Sequence, residues 1–182
     1  EAAYVRNTLE AGGVDTAGLH EAPGERTSFT EVMSIPGGQR TFFTYAGAGG
    51  NFGINDMDYG DILPQMLHLG YFLLLQKVDD GDGLKILQDA KEKGIRTSID
   101  LVSENSDRYG LVVPCLPWTD YLIINELEAG KLTQMEPNNE NLEAIARKLK
   151  AMGVREKVII HKPDFAVCLT GETLTVLPSY AL

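Results

Sequence analysis

From residue 61 onward, short apolar runs alternate with segments whose apolar residues fall on one face of a helix. Residues 96–102, 121–124 and 157–161 are rich in branched apolar side chains, which is typical of buried strands. Residues 83–93 and 141–152 place leucine, isoleucine and alanine on one helical stripe, and a glycine follows each segment. This alternation predicts an α/β fold with a Rossmann-like, mostly parallel sheet and helices on both faces.

Weaker patterns complete this part of the chain. Residues 61–67 favour a short helix, and the near-continuous apolar run at 70–76 predicts another buried strand. Residues 165–170 and 173–177 flank a Gly-Glu pair and predict a terminal hairpin. Asp100 lies inside a predicted strand, where an acidic side chain is costly to bury unless it has a partner.

The first third of the chain has a different pattern. Residues 1–12 predict a helix, and the alternating runs at 27–35 and 40–45 predict an antiparallel hairpin with a tight turn at 36–39. The hairpin is either an edge of the main sheet or a flap that stands off it. The glycine-rich segment 46–53 does not lie between a strand and a helix as a dinucleotide-binding loop does, so we expect a flexible hinge there.

The junction within residues 120–133, DYLIINELEAGKLT, carries the main candidate chemistry. A buried strand runs directly into a helix, and Asn125 and Glu128 lie where they meet. The carboxyl ends of strands are where open α/β sheets bind ligands. Asn-x-x-Glu is also the pattern of a capping box, in which the two side chains satisfy free N–H groups at the start of the helix. The two interpretations are compatible.

Composition limits the classes of function. The 182 residues, 43% of them hydrophobic and 23% charged, suit one soluble domain over residues 1–182. No apolar run approaches the ~20 residues of a membrane helix, and no signal-peptide pattern opens the chain. The formal charge of −10 argues against nucleic-acid binding but leaves nucleotides possible. Cys115 and Cys168 suit neither a disulfide framework nor a zinc site, so we expect a reducing, cytoplasmic location.

Three segments together resemble the ribokinase-like, or PfkB, carbohydrate kinases: GVDT at 13–16, the hairpin with Arg40-Thr41-Phe42, and INELEAGKLT at 124–133. The order of elements is similar over nearly the whole chain. The resemblance implies a ribokinase-like core, with residues 27–45 as a β-hairpin lid over the substrate. It also implies that the chain corresponds to the central portion of the fold, an incomplete kinase-like domain.

The activity that this resemblance implies is ATP-dependent phosphoryl transfer, with Mg²⁺, to a hydroxymethyl group of a sugar or related small molecule. Asn125 and Glu128 would then bind the nucleotide phosphates and the metal, Glu128 often through water. Asp100 and Phe42 are the expected substrate contacts. Lys162 is expected to approach phosphate, although a solvated surface lysine is the alternative. In several members of the family the lid also builds a dimer, so the resemblance implies a homodimer through the lid as one possibility here.

In the family, a Gly-Ala-Gly-Asp segment with the general base follows the last hairpin, so we expect the base beyond Leu182. The amino-terminal sugar-binding segment of the family has no counterpart in the sequence. Two other functions remain as alternatives: a catalytically inactive sugar- or nucleotide-binding protein of the same fold, and a dinucleotide-dependent oxidoreductase. A hydrolase triad is unsupported, because no histidine has a serine or cysteine at a recognisable spacing.

Overall fold

The computed structural model describes residues 2–37 and 40–180. Its helices are α1 (Ala2–Ala11), α2 (Gly83–Glu92), α3 (Glu126–Thr133) and α4 (Leu142–Ala151). Its strands are β1 (Phe29–Met33), β2 (Thr41–Tyr45), β3 (Met66–Phe72), β4 (Arg96–Leu101), β5 (Tyr121–Asn125), β6 (Lys157–His161), β7 (Phe165–Thr170) and β8 (Thr173–Pro178). Short 3₁₀ turns form at Gly47–Asn51, Ile54–Asp56, Arg108–Leu111 and Val113–Trp118, and a π-type turn forms at Val78–Asp82.

The main sheet contains six strands in the order β3-β4-β5-β6-β7-β8. The four strands β3 to β6 run parallel, and β7 and β8 continue the sheet as an antiparallel hairpin. Parallel strands joined by helical connections confirm the predicted α/β class with a mostly parallel sheet. The carboxyl ends of four neighbouring strands therefore lie along one edge, which we call the carboxyl edge.

The helices α2, α3 and α4 pack against one face of the sheet. Fully buried core residues from this layer include Ile86, Ala129 and Ile145. Each of the parallel strands β3 to β6 lies next to the strand that precedes it in the chain, so the sheet grows in one direction. When successive crossovers are right-handed and the sheet grows in one direction, the connecting helices lie on the same face. Helices were expected on both faces. In the described part of the chain, side chains on the opposite face, such as Ile123 and Cys168, are only half-buried.

Strand β3 differs from its predicted position. A helix was expected at 61–67 and a strand at 70–76, but the strand spans Met66–Phe72, and no helix precedes it within the described residues 61–65. The apolar run continues past the strand because the turn that follows is itself buried, and Phe72 and Leu73 are each 1% exposed. Leu73 has a φ of 79°, which ends the extended backbone.

The strands β1 and β2 form a two-stranded sheet of their own instead of an edge of the main sheet. They pair from Phe29 opposite Tyr45 to Met33 opposite Thr41, and every residue of both strands is exposed. The predicted turn at 36–39 includes Gly38 and Gln39, which lie outside the described residues, as does the first residue of the predicted helix 1–12.

The glycine-rich segment after β2 forms a close-packed joint where a flexible hinge was expected. A Cβ on Gly47 would lie 2.4 Å from the Arg26 carbonyl oxygen, and Gly47 has a φ of 48°. The Ser28 hydroxyl donates to the Ala46 carbonyl at 2.5 Å and accepts the Gly49 N–H at 3.1 Å. Glycine here allows the backbone to come close to the start of the hairpin.

In the part of the chain that the structure describes, no helix is both long enough and apolar enough to cross a bilayer.

Candidate functional site

The junction of β5 and α3 is a complete capping box. The Asn125 Oδ1 atom accepts the Glu128 N–H at 2.9 Å, and the Glu128 Oε2 atom accepts the Asn125 N–H at 3.0 Å. Asn125 has extended backbone angles, with φ −83° and ψ 172°, so it lies just outside the helix as an N-cap does. The capping interpretation of the Asn-x-x-Glu pattern is therefore confirmed.

A third residue, Ser103, joins this pair. Its hydroxyl accepts a hydrogen bond from Asn125 Nδ2 at 2.6 Å and donates one to Glu128 Oε1 at 2.7 Å. Ser103 comes two residues after the end of β4, the strand beside β5. Ser103 was not among the residues selected from the sequence. Its place just beyond the carboxyl end of the neighbouring strand was the available signal, because such ends meet at one edge.

Glu128 is 3% exposed, and burial raises the pKa of its carboxyl group. The Asn125 N–H, the Ser103 hydroxyl and the nearby His161 act in the opposite direction, and the Asp100 charge raises the pKa further. The net shift is upward. Asp100 lies near the end of the neighbouring strand β4, and His161 lies opposite Asn125 in β6, so both residues share this edge of the sheet with Glu128.

Asp100 lies in β4 with its side chain partly exposed. Its Oδ1 atom accepts the Tyr71 N–H at 2.6 Å, and its Oδ2 atom lies 3.8 Å from His68 Nε2. Tyr71 has a φ of 59°, a sparsely populated conformation for a residue other than glycine, and the Asp100 bond stabilises it. The acidic side chain therefore has the partner that a position inside a strand requires.

The structure also brings His68 close to a serine. Its Nδ1 atom lies 3.0 Å from the Ser98 hydroxyl oxygen, so the residues Ser98, His68 and Asp100 form a connected group. Ser98 is only 2% exposed and lies in the middle of β4. A nucleophile must be accessible to its substrate, so this group does not present a hydrolase triad.

Lys162 follows β6 at the carboxyl edge. Its Nζ atom donates to Asn139 Oδ1 at 2.5 Å and lies 5.2 Å from the centre of the Phe165 ring. Phe42 lies in β2, in the separate hairpin sheet, and is 56% exposed. Of the residues selected from the sequence, the structure thus brings Asp100, Asn125 and Glu128 together at one edge and places Phe42 in a different sheet.

The oxygen atoms at this edge are suited to magnesium. Within the described residues, no group of three or more His, Cys, Asp or Glu side chains is arranged to hold a metal ion. Mg²⁺ does not require such a group, because it retains several waters and is usually held by one or two carboxylates together with phosphate oxygens. Each Glu128 oxygen accepts one hydrogen bond and keeps a second lone pair, so the carboxylate has oxygen ligands of the type that Mg²⁺ prefers. Only 3% of Glu128 is exposed, so a hydrated ion reaches these oxygens only if the side chains around them move.

Two cavities of the described chain lie elsewhere. One of about 430 Å³ lies beside α1 and is lined in part by Leu19, His20 and Ser28. Another, of about 390 Å³, lies beside the π-type turn and reaches Cys115. Neither is lined by Asn125 or Glu128, so the candidate site rests on the chemistry of the carboxyl edge and not on an enclosed pocket.

The sequence model of the pfkB family carbohydrate kinases matches residues 1–172 of this chain. Fructokinase from Vibrio cholerae O395, as a double mutant in a fructose-, ADP- and potassium-bound form, is similar with a TM-score of 0.79 and 19% identity. The similarity covers 100% of this chain and 59% of that one. Ribokinase from Giardia lamblia has a TM-score of 0.79 and 13% identity, over 99% of this chain and 56% of that one.

Fructokinase from Halothermothrix orenii is similar with a TM-score of 0.76 and 19% identity, over 97% of this chain and 64% of that one. No curated protein sequence matches the chain at a significant level. At such low identities the solved structures show a shared fold. The chain spans less than two thirds of the length of each of these three relatives.

Proposed function

Because this chain belongs to the pfkB family of carbohydrate kinases, we propose that the whole protein transfers a phosphoryl group from ATP to a hydroxymethyl group of a sugar or related small molecule. The observation that carries this proposal is the hydrogen-bonded group of Ser103, Asn125 and Glu128 at the carboxyl edge. It puts a carboxylate, which can bind a cation, and an amide, which can donate to a phosphate oxygen, beside the start of α3.

Glu128 would hold hydrated Mg²⁺, and Asn125 would orient the phosphate and water shell around it. When bound, the ion would neutralise the charge that develops on the phosphoryl group during transfer. Lys162 would contact a nucleotide phosphate, for which its Nζ must leave Asn139. Two structures of one relative, the Vibrio cholerae fructokinase, support a nucleotide ligand: one contains ADP and potassium, and the other contains ADP and calcium.

The acceptor would bind near Asp100, whose half-exposed carboxylate can accept a hydrogen bond from a sugar hydroxyl. The hairpin at residues 27–45 would be a lid on the same kinase-like domain, and its Phe42 would cover the substrate and exclude water. The relatives act on or bind different acceptors, since one was crystallised with fructose and another is an adenosine kinase from Anopheles gambiae. The general base is expected beyond Leu182.

The exposed aromatic residues of the hairpin, which include Phe29, Phe42 and Phe43, also support a homodimer formed through the lid. Sedimentation of the whole protein and of a Phe43→Ser variant tests this assembly, and a wild-type monomer at micromolar concentration contradicts it.

Cys115 and Cys168 are free thiols, which supports a reducing, cytoplasmic location.

A screen of sugars, sugar acids and nucleosides with the full-length protein, ATP and Mg²⁺ tests the activity. We expect phosphorylation of at least one acceptor and a strong loss of turnover in Glu128→Gln. Binding of a sugar or nucleotide without phosphate transfer would favour the inactive binding protein. Hydride transfer with a nicotinamide cofactor would favour the oxidoreductase.

A further inference from the structure

We propose that Ser103 is a positioning residue that holds the Asn125 amide and the Glu128 carboxylate in one fixed arrangement at the carboxyl edge. This inference rests on the proposed kinase function, because it concerns how the site for metal and phosphate is organised. Ser103 itself is not assigned a contact with the substrate. It acts through the two side chains that it joins.

The hydrogen bonds define the role of the hydroxyl group. The cap requires the Asn125 Oδ1 atom to face the Glu128 N–H, and this orientation points Nδ2 toward Ser103. The hydroxyl accepts from Nδ2 at 2.6 Å and donates to Glu128 Oε1 at 2.7 Å. One oxygen atom thus serves both a donor and an acceptor, which a hydroxyl can do and a methyl group cannot.

The loop that carries Ser103 is itself held in place. Arg108 donates from Nη2 to Glu104 Oε2 at 2.7 Å and to the Leu73 carbonyl at 2.7 Å. Its Nη1 atom donates to the buried Asp79 at 3.1 Å. Glu104, directly after Ser103, also donates its N–H to the Tyr109 hydroxyl at 3.0 Å. These bonds fasten the loop to the turn that follows β3.

The turn that follows β3 has an uncommon backbone conformation, which a buried carboxylate stabilises. Leu73 has a φ of 79°, and its N–H is bound by Asp79 Oδ1 at 2.8 Å. Asp79 is 5% exposed, so both of its contacts form in a dehydrated setting where hydrogen bonds are stronger. Ser103 is therefore linked to the end of β3 on one side and to the end of β5 on the other. A residue held in this way can define the geometry of a site at the carboxyl ends of β3, β4 and β5.

Partners that orient metal-binding side chains are typically worth about 10- to 100-fold in metal affinity or activity. For Ser103→Ala in the full-length protein we expect a loss of this size in kcat, together with a higher KM for Mg·ATP. The KM for the acceptor should change little. Ser103→Thr keeps the hydroxyl, and its added methyl group has room because Ser103 is exposed, so it should restore most of the activity.

Asn105→Ala, an exposed position two residues farther along the same loop, is the matched control and should behave like the wild type. A second readout does not depend on activity: the side-chain ¹⁵N–¹H resonances of Asn125 in NMR spectra of the whole protein. We expect Ser103→Ala to move them and to make their exchange with water faster. Ser103→Thr should return them toward the wild-type positions.

The inference is overturned if the Asn125 side-chain resonances are unchanged in Ser103→Ala, or if Ser103→Thr fails to restore both these signals and turnover. It is also overturned if Ser103→Ala raises both KM values equally without changing kcat. If the wild-type protein phosphorylates no acceptor, the proposed function fails, and the NMR comparison still decides whether Ser103 positions the pair.

Discussion

At the scale of single residues, Asn125 combines two roles that the sequence pattern could not separate. Its Oδ1 atom caps α3, and serine or aspartate would do this equally well. Its Nδ2 atom donates to Ser103, and the cap does not need that bond. Asparagine, unlike the other good N-cap residues, brings both an acceptor and an N–H donor in one side chain. The amide donor therefore points to a role beyond capping.

Two substitutions of Asn125 separate these roles. Asn125→Ser keeps a capping oxygen, so we expect nearly wild-type stability in urea unfolding but at least about a 10-fold loss of kcat/KM, because the amide contacts are gone. Asn125→Ala should lose activity and also about 0.5–2 kcal/mol of stability. Full activity in the serine variant would mean that Asn125 acts only as a cap.

Glu128 should make the protein less stable as the pH rises. Since burial raises its pKa, the folded state holds this proton more tightly than the unfolded state. The resulting stabilisation is fully present below the unfolded pKa of about 4.3 and is lost as the pH rises through the higher folded pKa. Glu128→Gln does not titrate, so its stability relative to the wild type should increase over this interval.

The measurement is chemical denaturation of the full-length wild type and Glu128→Gln at several pH values from about 4.3 upward. Glu126→Gln, which removes a carboxylate from the same helical turn, is the matched control. If the difference between wild type and Glu128→Gln stays constant with pH, burial does not govern the charge of this carboxylate.

At the scale of elements, the hairpin depends on the joint between its two ends. Gly47–Asn51 forms a 3₁₀ turn that packs directly against the backbone at residues 26–28. The Ser28 hydroxyl closes this joint with two hydrogen bonds. Every residue of the two hairpin strands is exposed, so we expect this joint to determine the orientation of the proposed lid.

Gly47→Ala should loosen the hairpin. The new Cβ would lie 2.4 Å from a carbonyl oxygen at a φ of 48°, and such overpacking typically costs about 1–3 kcal/mol. We expect faster hydrogen exchange at the amides of β1 and β2. The control is Gly18→Ala, where a Cβ has no neighbour within 4 Å. Equal exchange in both variants would show that the hairpin is not held by this joint.

At the scale of the molecule, the two edges of the parallel sheet differ in their chemistry. The carboxyl edge has the partly exposed polar group described above. Just before β5, at the opposite edge, Asp120 is 1% exposed and accepts bonds from Lys91 at 2.8 Å and from the Thr97 N–H at 2.8 Å. Arg155 lies 3.4 Å from its second oxygen. This buried ion pair connects α2 with two strands and is structural.

Asp120→Asn should lower the stability of the folded protein and should not change its catalytic constants. Loss of the carboxylate leaves Lys91 without its charged partner, and breaking a buried pair costs roughly 3–5 kcal/mol. Glu143→Gln, which removes an exposed ion pair with Arg147, should cost at most about 1 kcal/mol. Thermal unfolding gives the stability, and KM values of the folded enzyme give the kinetics. A changed KM for Mg·ATP in Asp120→Asn would connect this edge to the site.

Local patterns predicted some elements well and others poorly. The strand at 157–161 was predicted at its observed bounds because a short run of branched apolar residues defines it. α4 was predicted within one residue at each end, because helical periodicity and the following Gly153 define it. β3 was displaced because a buried turn is as apolar as a buried strand. Ser103 was missed because its role depends on Asn125 and Glu128, which are more than twenty residues away in sequence.

The sequence by itself determined the α/β class, which follows from local periodicity, and the pairing of Asn125 with Glu128, which lie within one helical turn. It also determined the family resemblance, which rests on three short segments and on the order of elements along the chain. Only the tertiary structure decided that α2–α4 share one face, that the hairpin is a separate sheet and that Ser103 bridges the site. Strand order and the meeting of strand ends are long-range properties. Their energies come from contacts between distant residues, which no local pattern records.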